Sequence, residues 1–277
     1  MKIVSSGGTI STDTYLERKR RARRQRLTFL FSSLLILIIL IAAISRLDRF
    51  RIQDISATGA NVIGAGTVTE FSRNVIDGYY FWLVPRDNAL VYPRGELRNA
   101  LLKKIPRFSS VSLSLAGLNK LDVEVVEREP FALYCGESST TENSICYFLD
   151  DTGFIFDLAP AFSDGVYFVY ASRTPLESPM GKQFLPPEEF EAVLHFVESL
   201  PTLDMRPLTL TLVGEDFDIT FSRSAHLILK RGSDLSLMYS NLSSFLNSES
   251  IKAEKDFLEK VTELDLRTEN KVFYRFK

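Results

Sequence analysis

The stretch from Leu27 to Ser45 reads LTFLFSSLLILIILIAAIS, nineteen residues without a charge, whose only polar side chains are the hydroxyls of Thr28, Ser32, Ser33 and Ser45. As a helix rising about 1.5 Å per residue it measures roughly 28 Å, close to the thickness of a hydrocarbon core. A core helix of a soluble domain carries a polar stripe, and this run has none, so the sequence predicts a transmembrane helix over 27–46 behind a basic cytoplasmic tail over 1–26. Arg18, Lys19, Arg20, Arg21, Arg23, Arg24 and Arg26 crowd the near side of the run, whereas the far side offers Arg46, Arg49 and Arg51 with Asp48 between them. The positive-inside rule therefore sets the N-terminus in the cytoplasm and the remaining residues, about 230, outside it.

A cleaved signal peptide is the competing reading, with Ala43 and Ser45 as small residues before a cut. The basic region and the apolar run both exceed those of a usual signal, and the bulky Arg46-Leu47 pair follows directly, so the anchor is preferred. The arginine cluster also has the composition of a nucleic-acid patch. Its place immediately beside the span makes topology and attraction to anionic lipid the simpler account.

The 277 residues carry 33 Lys+Arg and 35 Asp+Glu, a net charge of -2 that hides an uneven split. Up to Arg26 there are eight basic residues against two acidic ones, so everything beyond is acidic in sum. With 45% hydrophobic and 25% charged residues the chain as a whole has the composition of a globular protein and not of a disordered one. Two histidines and two cysteines supply little for a conventional zinc site.

Past the span, FRIQDISATG from Phe50 predicts a strand, and Val68, Phe71, Val75 and Ile76 predict a helix capped by Thr67 or Gly66 and stopped at Gly78. The aromatic stretch YYFWLVPRDNALVYP reads as a packed loop with a short extended piece. A second helix fits Arg94 to Lys104, with Leu97, Leu101 and Leu102 inward and Pro106 ending it. Alternation in Val111, Leu113 and Leu115, a turn at Gly117, and alternation in Leu121, Val123 and Val125 predict a β-hairpin. Strand, helix, helix, strand, strand is a compact α+β unit of the form βααββ. This unit, closed by Glu127-Arg128-Glu129-Pro130-Phe131-Ala132 and opened by Phe50, Ile52, Ile55, Ala57 and Gly59, resembles the POTRA domain of the FtsQ/DivIB cell-division proteins. That family opens on F-x-I-x-x-I-x-V-x-G, where this chain has Ala57 for the valine, and closes on E-R-x-P-x-A, kept here in Glu127, Arg128, Pro130 and Ala132. The expected domains are a POTRA-like one over 48–128 and a C-terminal β domain over 129–277.

The second part continues the resemblance. Tyr147-Phe148-Leu149-Asp150-Asp151-Thr152-Gly153-Phe154-Ile155-Phe156 reads as two strands around a turn, similar to the family's Y-x-I-D-x-x-G-x-V-F. Pro186-Pro187 starts a helix in which Phe190, Val193, Leu194, Val197 and Leu200 recur. Strands follow at Leu208–Val213, Phe217–Phe221 and His226–Lys230, then a helix over Asp234–Leu246 capped by Ser233, then strands at Val261–Arg267 and Val272–Phe276. The Asp265-Leu266-Arg267 triplet resembles the family's I-D-L-R ending, with Leu264 for the isoleucine. The expected fold is α+β: one transmembrane helix, a small POTRA-like domain, and a mixed, mostly antiparallel β domain with two or three helices.

Enzymatic patterns are weak. Gly59-Ala60-Asn61-Val62-Ile63-Gly64-Ala65-Gly66-Thr67 lacks the lysine a phosphate loop needs, so its glycines are read as a turn. His195 falls on the polar side of its helix and His226 begins a strand without a neighbouring carboxylate in sequence; Asp150-Asp151, Asp216 and Asp218 are read as turn and strand-edge residues. No catalytic, metal or cofactor site is expected, nor a nucleic-acid or small-molecule ligand. Cys135 and Cys146, eleven apart outside the cytoplasm, either close one disulfide loop or remain two buried thiols. The resemblance implies a single-pass inner-membrane scaffold at the division septum, with partners similar to FtsB and FtsL and contact with the membrane. On its terms Lys271, Val272, Phe273, Tyr274, Arg275 and Phe276 form a last strand to which a partner strand adds, with Val272, Tyr274 and Phe276 on one face and Phe273 and Arg275 on the other. The alternatives are a membrane-anchored sensor and an assembly factor using a POTRA domain.

Overall fold

From Thr12 to Ser45 the chain has no glycine or proline, and the basic stretch before the apolar run is rich in Arg, a strong helix former. A computed structural model, which describes residues 12–136, 145–160, 165–222, 225–268 and 271–277 and side chains from residue 17, accordingly shows one helix, α1, over Thr12–Ser45. The residues expected as a tail are therefore helical from Thr12, and Arg46 lies in the turn after the helix. Its Glu17–Ser45 portion is long and apolar enough to cross a membrane.

The rest is mixed α and β, divided into two compact units: one holds the residues up to Ala100 with Ser112–Glu124, the other Leu101–Val111 with Val125–Lys277. In the first, β1 (Asp54–Thr58) runs parallel to β5 (Lys120–Glu127), pairing Ile55 with Leu121 and Ala57 with Val123. β4 (Phe108–Leu115) completes a three-stranded sheet of order β1-β5-β4. The strand expected from Phe50 begins only at Asp54. Asp48–Phe50 is a single 3-10 turn, and Ile52 is buried while its N–H donates to the Asp87 carbonyl, 2.8 Å, outside the sheet. α2 (Ala65–Ile76) buries Val68, Ser72 and Ile76, one face at helical spacing. Its N-cap is Gly64 at φ 84, a left-handed position suited to glycine, and not Thr67 or Gly66. α3 spans Arg94–Lys104. Between the helices the aromatic stretch is packed only in part: Pro85, Asn88 and Ala89 are buried, and the extended piece is a miniature hairpin of β2 (Tyr79–Tyr80) and β3 (Val84–Pro85), but its tip residues Phe81 and Trp82 are 91% and 88% exposed.

The second unit carries a nine-stranded sheet. Its strands are β6 (Ala132–Cys135), β7 (Cys146–Leu149), β8 (Ile155–Leu158), β9 (Val169–Ser172), β10 (Pro207–Val213), β11 (Asp216–Phe221), β12 (His226–Lys230), β13 (Val261–Asp265) and β14 (Phe273–Phe276). They lie in the order β14-β13-β12-β11-β10-β9-β6-β7-β8. Three neighbouring pairs, β10 with β9, β12 with β13 and β6 with β9, are parallel and the other five antiparallel, so the sheet is mixed.

Among the described residues four α-helices accompany it: α4 (Pro187–Ser199), followed by a 3-10 turn at Leu200–Leu203, α5 (Leu235–Leu246) and the short α6 (Glu249–Ala253) and α7 (Phe257–Lys260). The last two exceed the two or three helices expected. The N-cap of α5 is Asp234 and not Ser233; its Oδ1 accepts from the Ser236 and Leu237 N–H groups. One core forms between helices and sheet from Phe190, Val193 and Phe196 of α4, Met238 and Leu242 of α5, and Tyr134, Tyr170, Leu210, Phe217 and Leu227 of the strands. Each such fully buried apolar side chain contributes about 2 kcal/mol. Leu208, expected inward by alternation, is 51% exposed because a register shift between Pro207 and Thr209 breaks the period.

The turn between β7 and β8 needs its glycine. Gly153 sits at φ +80, and a Cβ there would meet the Phe190 ring at 2.7 Å. At the other end of the β6–β7 pair, Cys135 and Cys146 are direct cross-strand partners with Cα atoms 4.3 Å apart, joined by a disulfide. The loop they close, residues 137–144, lies outside the described residues. Both cysteines are buried beside Leu133 and Val169. Replacing both by alanine is expected to lower local stability by about 3 kcal/mol. Amide exchange of β6 and β7 should then be on the order of a hundredfold faster; unchanged protection would refute a stabilising bridge.

Candidate interaction surface

β14 ends the sheet and pairs with β13 alone among the described residues: Asp265 faces Phe273, Leu264 faces Tyr274, Glu263 faces Arg275 and Val261 faces Phe276. One edge of β14 is thus left without a neighbouring strand. Its two faces differ. Tyr274 and Phe276 lie 5.4 and 5.7 Å from the Phe257 ring, and Tyr274 lies 5.7 Å from Phe245, so this face closes the end of the core; Val272 packs there too. Phe273, 54% exposed, and Arg275 alternate to the other face, where Arg275 Nη1 stands 3.7 Å from Glu263. Lys271, exposed, precedes the strand. Tyr274 and Phe276 remain 47% and 41% exposed despite their ring contacts, so the edge is aromatic and wet at once. The free N–H and C=O groups of such an edge can template pairing with another strand, although β14 is only four residues long and carries the charge of Arg275.

Asp265 and Arg267 hold the strand end from which β14 departs. Arg267 donates to Asp265 through Nε (3.0 Å) and Nη2 (2.6 Å), and through Nη1 to Asp216 of β11 (3.0 Å). The guanidinium holds the Asp265 carboxyl below the usual carboxylate range, and the two carboxylates raise the Arg267 pKa. Asp216 and Asp218 are not strand-edge residues in the sheet sense, since β11 lies between β10 and β12. Asp218 Oδ1 is hydrogen-bonded to His226 Nδ1 at 2.8 Å, a carboxylate–imidazole pair formed across neighbouring strands. Alternation in two separate runs gives no register, so the sequence concealed it. His195 is exposed on α4 near Glu191 and Glu198.

A second motif-derived cluster sits at the start of the large sheet. Arg128 bonds Asp150 Oδ2 through Nη1, donates to the Pro106 carbonyl through Nε (3.2 Å), and lies 4.2 Å from the centre of the Phe154 ring. Asp150 Oδ1 accepts from the Thr152 N–H (2.9 Å), the Thr152 hydroxyl (2.7 Å) and the Phe154 N–H (2.9 Å). Asp150, read as a turn residue, does shape the turn, and it also binds the arginine of the E-R-x-P segment.

The basic residues Arg18, Lys19, Arg20, Arg21, Arg23, Arg24 and Arg26 are exposed along α1. A cavity of about 490 Å³ in the second unit is lined by Asp204, Arg206, Ser222 and His226 among others. Among the described residues no cluster of three or more His, Cys, Asp or Glu side chains is placed to hold a metal ion. No family model and no curated protein matches the chain.

Proposed function

We propose that the chain is a non-enzymatic, single-pass membrane scaffold of bacterial cell division, similar to the FtsQ/DivIB proteins. In this reading α1 crosses the cytoplasmic membrane with its basic segment inside, and both units lie outside at the septum. The order β1, α2, α3, β4, β5 supports a POTRA-like first module. The observation that carries the proposal is β14: an aromatic strand at the end of a nine-stranded sheet, offering one unpaired edge. There a strand of a bitopic partner, similar to FtsB or FtsL, adds to the sheet through backbone hydrogen bonds, with Phe273 and Arg275 reading its side chains.

A fluorescent protein fused ahead of Met1 tests the role. The expected result is a band at the division site; an even distribution around the membrane contradicts it. The second reading, a membrane-anchored sensor, is favoured by the cavity beside His226, since ligand sites are concave with a few convergent polar groups. Even membrane distribution would favour that reading.

A further inference from the structure

The hairpin tip Phe81-Trp82-Leu83 is the most exposed aromatic feature among the described residues outside the apolar helix. Phe81 and Trp82 have φ of 48° and 60°, a left-handed backbone that costs a non-glycine residue on the order of 1 kcal/mol each. The turn at the hairpin tip, closed by the Leu83 N–H donating to the Tyr80 carbonyl (3.0 Å), imposes that backbone, and neither ring gains burial from it.

The position of the tip is fixed by the end of α1. Arg46 Nη2 donates to the Trp82 carbonyl (2.9 Å) and Nε to the Leu83 carbonyl (3.3 Å), with the guanidinium 6.0 Å from the Tyr79 ring. Asn88, buried, donates through Nδ2 to the Ser45 carbonyl (2.9 Å), and Ala42 and Ser45 are themselves buried. The last turn of the apolar helix is therefore docked against the loop that carries the hairpin. Leu47, Leu90 and Val91, all exposed, flank these contacts in sequence. A run of nineteen charge-free residues ending at Ser45 just fills a hydrocarbon core, so a tip bonded to Arg46 stands at the level where acyl chains meet headgroups. Tyr and Trp rings favour that layer, and Arg46 and Arg49 suit its anionic headgroups.

We infer that Phe81, Trp82 and Leu83 form an interfacial foot that inserts into the leaflet from which α1 emerges, fixing the first unit against the bilayer surface. The inference rests on α1 crossing the membrane. It does not depend on the division role, nor on which side the unit faces.

Trp82 is the only tryptophan of the chain, so the full-length protein reports on itself. The chain is reconstituted into vesicles of phosphatidylethanolamine and phosphatidylglycerol, and its flotation with them is checked. The expected result is blue-shifted emission, loss of most of it when the lipids carry bromine near the top of their acyl chains, and little loss to aqueous iodide. An indole that iodide quenches as fully as in the urea-unfolded chain overturns the inference, and so does one that neither quencher reaches. A chain that fails to float removes the anchor and the foot together, whereas the septal band reads the division role separately.

Discussion

Arg275→Pro is expected to abolish capture of the bitopic partner while the first unit stays folded. Arg275 sits in the interior of β14 opposite Glu263, so a proline there removes a backbone donor and kinks the strand that the partner must follow. Each backbone hydrogen bond contributes about 1 kcal/mol net, and losing three or four of them weakens binding on the order of a hundredfold or more. Proline at Phe273 would be a weaker probe, because it falls on the first residue of β14, where strands tolerate it. Deleting 272–277 is less clean, since it strips Tyr274 and Phe276 from Phe257. Phe273→Ser keeps the backbone and loses one exposed ring, and should weaken capture by about tenfold only. Co-purification of the tagged full chain reads both variants. Equal partner recovery with Arg275→Pro would rule out strand addition.

Arg128→Ala is expected to destabilise the second unit by about 3 kcal/mol. The side chain of Asp150 is only 6% exposed, and its Oδ2 would lose its charged partner. Breaking a buried pair from one side costs about 3–5 kcal/mol. The three donors that remain on Oδ1 hold the loss toward the lower end, while the lost stacking on Phe154 adds to it. For a unit of this size the melting temperature should fall by roughly 10 °C. Arg128→Lys should recover little of that, because an ammonium cannot reach Asp150 and the Pro106 carbonyl with the same planar fork. Adding Asp150→Asn to Arg128→Ala should recover part of the loss by removing the unpaired charge. A fall below about 1 kcal/mol for Arg128→Ala would show that the cluster is peripheral to stability.

These two expectations rest on features of unequal legibility. The apolar helix α1, α4 and the alternation of β5 could be read from residue pattern, because each buries one face or none and its period survives in sequence. Strand order could not. Ala132–Cys135 lies beside Val169–Ser172 in parallel although β7 and β8 come between them in the chain, and His226–Lys230 lies beside Val261–Asp265 although α5, α6 and α7 do; periodicity carries no information about which strand is whose neighbour. The edge position of β14 follows from that order, so the sequence supplied its aromatic residues and their two faces but not the open side. α6 and α7 are one turn each, too short to show a period. Aromatic content suggests burial for Phe81 and Trp82, but the Arg46 bonds that hold the tip join residues 36 and 37 positions apart, a separation no local pattern carries. His226 and Asp218 meet only once β11 and β12 pair.

The most direct test of the scaffold proposal is a photocrosslinking side chain placed at Arg275 in growing, dividing cells. The account predicts a covalent adduct with a single-span membrane protein of the division site, lost when an excess of that partner's own strand is supplied as a free peptide. No adduct at Arg275, or an adduct that persists unchanged with the peptide in excess, would contradict it.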